Sequence, residues 1–335
     1  MSKSIATEVL PERLAEHRAV RAWSRLDPAR VEPERIEILK LRNKSAVYRL
    51  AAVGPEGSSV IAKRCRLATG SIERMLYEEF LPRLPLPALR CHGMIEEPDG
   101  EFCWLFLENA CGEEYSTASA QHRALAAQWL ATVHKAATRA GLQTRLPSRE
   151  PSHYRELLQT SRQALLRHLA NPVLRADDLR LLQAISSHFD LLETRWGELE
   201  ERCAAMPPTL VHGDFATKNA RVRSATAGPA LLLFDWEYAG WGVPATDLAQ
   251  FTGRAISPDL ATYCAGLNGF LSPRDIRDVE RLAECGKFFR LLDNIAWASS
   301  FLTFESYLFL EKPMTYLKLF EPRLADALRT AKWMR

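Results

Sequence analysis

Residues 210–222 read LVHGDFATKNARV, and residues 231–251 read LLLFDWEYAGWGVPATDLAQF. Short apolar runs alternate here with loops of Gly, Asp, Asn and Lys, the pattern of short strands whose ends present polar groups. Asp214 and Asn219 share one loop, five positions apart, and Asp235 ends the second apolar run. Neighbouring strand ends can thus present an acid, an amide and a second acid to one cleft.

Upstream, ERIEILKL (34–41), AVYRLAAV (46–53) and SSVIAKRC (58–65) are separated by the turn signals Arg42-Asn43-Lys44-Ser45 and Gly54-Pro55-Glu56-Gly57. They predict an antiparallel meander with Lys63 on its third strand. The first thirty or so residues read as a helix leading into a polar connection that ends at Glu34. Ser71 is placed to cap a helix through Leu84, ended by Pro85 and Pro87. Two more strands are expected at 88–96 and 102–108, around the turn Glu97-Pro98-Asp99-Gly100.

From Ser116 onward the pattern turns helical. Apolar residues at 182, 185, 189, 192, 196 and 199 mark one amphipathic helix over 177–200. A β island near 209–212, 221–223 and 230–234 interrupts the helices, which then run aromatic-rich through 288–320. Strands first and helices later predict an α+β chain. Its antiparallel β-sheet N-lobe, with the N-terminal helix, covers 1–108, and its mainly helical C-lobe covers 109–335. No internal repeat or low-complexity segment is found.

Composition narrows the function. With 47% hydrophobic and 25% charged residues the chain reads as globular. A net charge of +3, spread without a cationic run, gives no reason to expect nucleic acid as a partner. The opening MSKSIATEVLPERLAEHRAV lacks the apolar core of a signal peptide, and the apolar run near 295–309 is broken by Glu305. A cytoplasmic protein with no membrane partner is expected. Seven cysteines, never spaced CxxC, read as free thiols, and the histidines form no HExxH metal box.

Phosphoryl transfer to a hydroxyl needs a carboxylate to orient the acceptor and take its proton. It also needs oxygen ligands for Mg2+ and a cation for the α- and β-phosphates. Asp214, Asn219, Asp235 and Lys63 supply this set. In these residues the sequence resembles the aminoglycoside phosphotransferase and choline kinase-like family of small-molecule kinases, relatives of the protein kinases. The resemblance lies in HGDFATKN (212–219), DWE (235–237), VIAK (60–63), LFLENACG (105–112), LATVHKAA (130–137) and PATDLA (244–249), and it covers nearly the whole chain.

The resemblance implies a protein-kinase-like two-lobed fold, ATP and Mg2+ as cofactors, and a small-molecule hydroxyl acceptor. It implies Asp214 as catalytic base, Asn219 and Asp235 as Mg2+ ligands, and Lys63 on the α- and β-phosphates. Backbone groups of Glu108, Asn109 and Ala110 would meet the adenine, while His212 and Asp247 would support the catalytic loop. Glu73 matches the family's ExxxY pattern as the partner of Lys63. Glu78, on a different helical face, is the alternative.

Several assignments have a plainer rival. RNKSAVY (42–48) stands where a glycine-rich phosphate loop is usual, and Ser45 is its candidate phosphate contact. Asp247 could simply cap the helix beginning DLAQF, and His134 reads as a packed core histidine. Glu237, Tyr238 and Trp241 are candidate acceptor contacts. Trp236, Tyr238, Trp241, Trp297 and Phe301 read as core packing against a cation–π cage.

The acceptor stays open among an aminoglycoside, another hydroxylated natural product, and a choline-, ethanolamine- or sugar-type metabolite. A polycationic antibiotic calls for an acidic cleft, yet Asp293, Glu305 and Glu311 are offset by Lys287, Arg290 and Lys312. A silent nucleotide-binding pseudokinase is opposed by the presence of the base, both metal ligands and the lysine. A protein kinase proper is opposed by Gly213, where protein kinases usually carry arginine, and by the short step from Asp235 to Asp247. No Walker A motif is present, which argues against a P-loop enzyme.

Overall fold

The computed structural model of the chain describes residues 7–8, 13–26, 32–42, 45–224, 228–267 and 275–334. Two compact units emerge: Met1–Tyr115 with Asn219–Glu237, and Ser116–Lys218 with Tyr238–Arg335.

In the first unit, β1 (Thr7–Glu8) precedes α1 (Arg18–Leu26), β2 (Ile36–Arg42), β3 (Ser45–Leu50), β4 (Val60–Arg66), α2 (Leu67–Met75), β5 (Cys91–Glu96), β6 (Phe102–Glu108) and β7 (Glu113–Glu114). All but β7 of these strands form one antiparallel sheet in the order β1-β2-β3-β4-β6-β5. Because successive side chains on a strand point to opposite faces, β4 is divided between two environments. Val60 and Ala62 enter a core with Tyr48, Leu50, Trp104 and Phe106, closed by Ala19, Val20, Ala22 and Trp23 of α1. Lys63 lies out of phase with them and meets α2 instead.

The chain then builds α3 (Ala120–Ala137), β8 (Ser148–Arg149), α4 (Pro151–His168), α5 (Ala176–Thr194), α6 (Trp196–Cys203) and β9 (Thr209–Val211) in the second unit. It returns to the first unit for β10 (Ala220–Arg223) and β11 (Ala230–Leu233), which with β7 form the sheet β11-β10-β7. Last come β12 (Gly240–Gly242), α7 (Ala245–Leu248), α8 (Leu260–Gly266), α9 (Ile276–Ser299) and α10 (Tyr307–Thr330). β12 pairs parallel with β8 and antiparallel with β9. Two of the long helices, α3 and α9, start on side-chain caps: Ser119 Oγ accepts the His122 N–H (3.2 Å) and Asp275 Oδ1 that of Arg277 (3.2 Å). Tyr154 of α4 stacks on Phe289 of α9 with centroids 4.1 Å apart. Among the described residues no helix is long and apolar enough to cross a membrane.

Three local expectations need correction, and a fourth falls partly outside the described residues. Of the helix expected over the first thirty residues, the described residues contain α1, and Thr7–Glu8 pair as a strand instead. The centre of the turn expected at 42–45, Asn43 and Lys44, lies outside the described residues; its flanks Arg42 and Ser45 are paired. α2 begins at Leu67 directly after β4, so Ser71 lies inside it and returns a hydrogen bond to the Leu67 carbonyl (2.9 Å). The single helix expected over 177–200 is broken at Arg195, whose backbone (φ −103°, ψ 8°) leaves the helical region. All six apolar positions of its stripe stay buried nonetheless, because periodicity fixes which face is covered and not whether the axis is continuous.

The α1 contact is expected to dominate the stability of the first unit. Trp23→Ala should cost about 3–5 kcal/mol in urea unfolding. Leu41→Ala, at an exposed position of β2, should stay within about 0.5 kcal/mol.

Candidate functional site

The first unit assembles a charge cluster from three separate elements. Lys63 projects from β4 between Val47 of β3 and Leu105 of β6. Its Nζ lies 2.6 Å from Oε1 of Glu73 on α2 and donates a second hydrogen bond to Oδ1 of Asp235. Glu78 instead pairs with Arg74 at 2.8 Å on the exposed side of the same segment. Five residues are not a whole number of turns, so the two glutamates face different sides and Glu73 is the one that turns inward.

Asp235 lies two residues past β11 and adopts φ +66°, a left-handed conformation that costs free energy for any residue with a Cβ. Asn219 precedes β10, and its carbonyl accepts the Phe234 N–H (3.0 Å). Since Ala220 pairs with Leu233, the antiparallel register carries Asn219 and Asp235 to the same end of the hairpin. Among the described residues no cluster of three or more His, Cys, Asp or Glu forms a metal box. The amide–carboxylate pair offers hard oxygen donors only, which suits a magnesium ion that completes its shell with phosphate and water.

Burial opposes the charge on Lys63, but Glu73, then Asp235 and Glu237, outweigh it and hold the ammonium well above its ordinary range. Glu73 is fully buried. Desolvation, only partly offset by Lys63, pushes its carboxyl up to about 7. Glu237 thus acts on the cluster through charge.

The second unit carries the HGD loop. Asp247 is buried within α7 and does not cap it: Oδ2 accepts the His212 N–H (2.7 Å) and Oδ1 the Gly213 N–H (3.1 Å). Burial raises the Asp247 pKa, but His134, the charge of His212 and the backbone donor overcome that and lower it. His134 Nε2 lies 3.7 Å from Oδ2, and Nδ1 is 2.8 Å from the Tyr263 hydroxyl. His134 is a buried core residue that also braces the loop. Gly213 has φ +76°, and a Cβ there would sit 2.3 Å from the Tyr238 carbonyl oxygen, so no larger residue fits between His212 and Asp214.

Asp214 is flanked by cations. Lys218 Nζ lies 2.7 Å from Oδ2 and Arg290 Nη2 3.8 Å from Oδ1. Arg290 also donates to the Phe215 carbonyl (3.4 Å). Next to it Asp293 lies 3.6 Å from Arg149, and burial pushes its carboxyl up to about 6 against the pull of Arg149 and Arg290. Sequence reasoning missed Lys218 and Arg149. The i,i+4 spacing from Asp214 to Lys218 was a usable signal. Arg149 had none, because its position depends on the two-residue pairing of β8 with β12.

The remaining candidates are dispersed. Ser45 starts β3 opposite Arg42. The Glu108 N–H is taken by the Arg90 carbonyl (2.8 Å) and its carboxylate by Arg223 (2.7 Å), and Asn109 and Ala110 follow at the end of β6. Trp236 is buried in the first unit. In the second, Trp297 packs edge-on against Phe301 and Tyr316, both at 5.2 Å, while Tyr238 is exposed and Trp241 half-buried.

Known proteins resemble this chain in family and in fold. The model of APH, the phosphotransferase enzyme family, matches residues 45–285. The GDP and kanamycin complex of APH(2")-IIia is similar in structure with a TM-score of 0.62, at 12% identity, over 90% of this chain and 97% of that one. Spectinomycin phosphotransferase APH(9)-Ia, solved with ADP and spectinomycin, gives 0.57 at 10% identity, over 89% and 94%. The ethanolamine kinase of Plasmodium vivax gives 0.52 at 15% identity, over 85% and 82%. No curated protein sequence matches the chain. At these identities the structural likeness carries the fold, a protein-kinase-like α+β fold.

Two acids of the second unit, buried Asp247 and half-buried Asp293, should respond oppositely to pH. The Asp247 pKa is lowered on folding, so its contribution is present above about pH 4 and is lost as pH falls through the folded value. Asp247→Asn should therefore cost about 2–3 kcal/mol at neutral pH, with the gap to the parent narrowing in acid. The Asp293 pKa is raised, so its ionisation weakens the fold as pH climbs from about 4 to 6. Asp293→Asn should relieve about 1–2 kcal/mol, the gain growing across that window and flat above it. Urea unfolding from pH 3.5 to 8 checks both.

Proposed function

The chain belongs to the phosphotransferase enzyme family, and from that premise we propose that it transfers the γ-phosphoryl group of ATP to a hydroxyl of a small molecule. The observation that carries this reading is the Lys63–Glu73–Asp235 cluster, with Asn219 on the neighbouring strand end. It joins a permanently charged ammonium to oxygen donors at one place, as binding a nucleotide's phosphates with a divalent cation requires.

In this reading Lys63 holds the α- and β-phosphates, and Glu73 fixes the Lys63 rotamer. Asn219 and Asp235 would hold Mg2+, which when bound offsets the negative charge that builds on the transferring phosphoryl group. Asp214 orients the acceptor hydroxyl and takes its proton as the oxygen bonds to the γ-phosphorus. The bond from that phosphorus to the bridging oxygen breaks, and ADP leaves with the electron pair. Asp247 clamps the backbone on the N-terminal side of Asp214, so the base needs little reorganisation during the step. Asn109 and Ala110 meet the adenine with backbone groups, and Ser45 meets the β- and γ-phosphates.

The test is ADP release by the full chain with Mg-ATP and a broad panel of hydroxylated small molecules. Turnover that depends on an acceptor and falls by about 10^2–10^4 in Asp214→Asn, with nucleotide binding retained, is the expected result. Equal turnover in parent and variant would remove Asp214 from the role of base.

A further inference from the structure

β12 reads Gly-Trp-Gly, and Arg149 accounts for both glycines. A Cβ on Gly240 would sit 2.3 Å from Arg149 Cγ, and one on Gly242 would sit 2.1 Å from the Arg149 carbonyl oxygen. The parallel pairing of β8 with β12 therefore seats the Arg149 stem on bare backbone. Its side chain is only 12% exposed; Nη1 lies 2.9 Å from His153 Nε2 and 3.6 Å from Asp293 Oδ1. Burial, and then the charge of Arg149, lower the His153 pKa, so a neutral imidazole accepts from Nη1. Arg149 Nε is buried without a hydrogen-bond partner.

Arg290 stands three residues before Asp293 on α9, one turn away on the same face. It is 9% exposed on its side chain, with one hydrogen bond to the Phe215 carbonyl and a looser ion pair to Asp214. A guanidinium carries five N–H donors, and these contacts engage one hydrogen bond on each arginine. A buried donor without a partner, as Arg149 Nε is, is costly, and an oxyanion is the ligand whose geometry takes guanidinium donors in pairs.

The charges point the same way. Around Asp214 and Asp293 stand three cations, Arg149, Arg290 and Lys218, an excess of one positive charge. A polycation would add to that excess, whereas an anionic group cancels it. We propose that the acceptor is a hydroxylated small molecule bearing an oxyanion, a carboxylate or a phosphate, and that Arg149 and Arg290 bind that group. The proposal rests on the kinase reading and names the substrate class of the same site.

Calorimetric titration of the full chain saturated with Mg-ADP tests it, using malonate, inorganic phosphate and kanamycin as separate probes. Malonate or phosphate should bind; the stronger of the two names the oxyanion, and kanamycin should not bind. Arg149→Gln should weaken the anion at least tenfold, Arg149→Lys less, because lysine keeps the charge but loses the fork. Asp293→Asn should tighten it, an effect that a purely structural role for these residues does not produce. With any acceptor that supports turnover, Arg149→Gln should raise the acceptor KM far more than it lowers kcat. No anion binding, equal binding to parent and Arg149→Gln, or tighter binding of kanamycin would each overturn the proposal. Failure of Mg-ADP itself to bind would count against the kinase reading instead, and the two failures are read in separate titrations.

Discussion

A buried ammonium surrounded by carboxylates is the interaction on which the first unit is built. Lys63 is 5% exposed and Glu73 not at all, so both have lost most of their hydration. Removing such ions from water costs several kcal/mol each, and the attraction between them recovers this only at close, hydrogen-bonded geometry. Three elements are held to that tolerance. β4 must present Lys63 away from the α1 core, α2 must follow β4 without a loop so that Glu73 arrives opposite, and the chain leaving β11 must turn through a left-handed Asp235. The cluster stabilises the fold poorly for its cost. Burial, with a smaller push from Asp235 and Glu237, raises Glu73 up to about 7 in spite of Lys63. Such an arrangement makes sense when a ligand takes up part of the charge.

The second unit applies a similar constraint with neutral groups. A single buried carboxylate, Asp247, takes two consecutive backbone N–H groups of the HGD loop, and Gly213 lets the loop pass against the Tyr238 carbonyl. Asp214 thereby follows a backbone with little freedom, while its own carboxylate sits between Lys218 and Arg290. The rigid part of the loop is its main chain, and the adjustable part is the set of cations around the acid.

The sequence made the sheet readable because its strands obey the two-residue period and its turns carry Gly, Pro and Asn. The position of Lys63 followed from that register. The inward turn of Glu73 was readable through its ExxxY spacing, whereas helix phase alone left Glu78 open. Helix boundaries were harder. Ser71 has the chemistry of a cap, but α2 starts four residues earlier because the chain turns straight out of β4. Arg195 breaks a helix whose apolar stripe continues unbroken on both sides. Arg149 was invisible for a deeper reason. Two-residue strands have no periodicity, and the glycines that make room for it lie about ninety residues further along the chain.

The central claim, that the Lys63 cluster exists to hold a nucleotide's phosphates, is tested most directly by titrating Mg-ATP into the full chain and into Lys63→Met, each checked for retained fold by its unfolding curve. The account predicts saturable binding to the parent and at least tenfold weaker binding to the folded variant. Undiminished affinity in Lys63→Met, or no nucleotide binding by the folded parent, would contradict it.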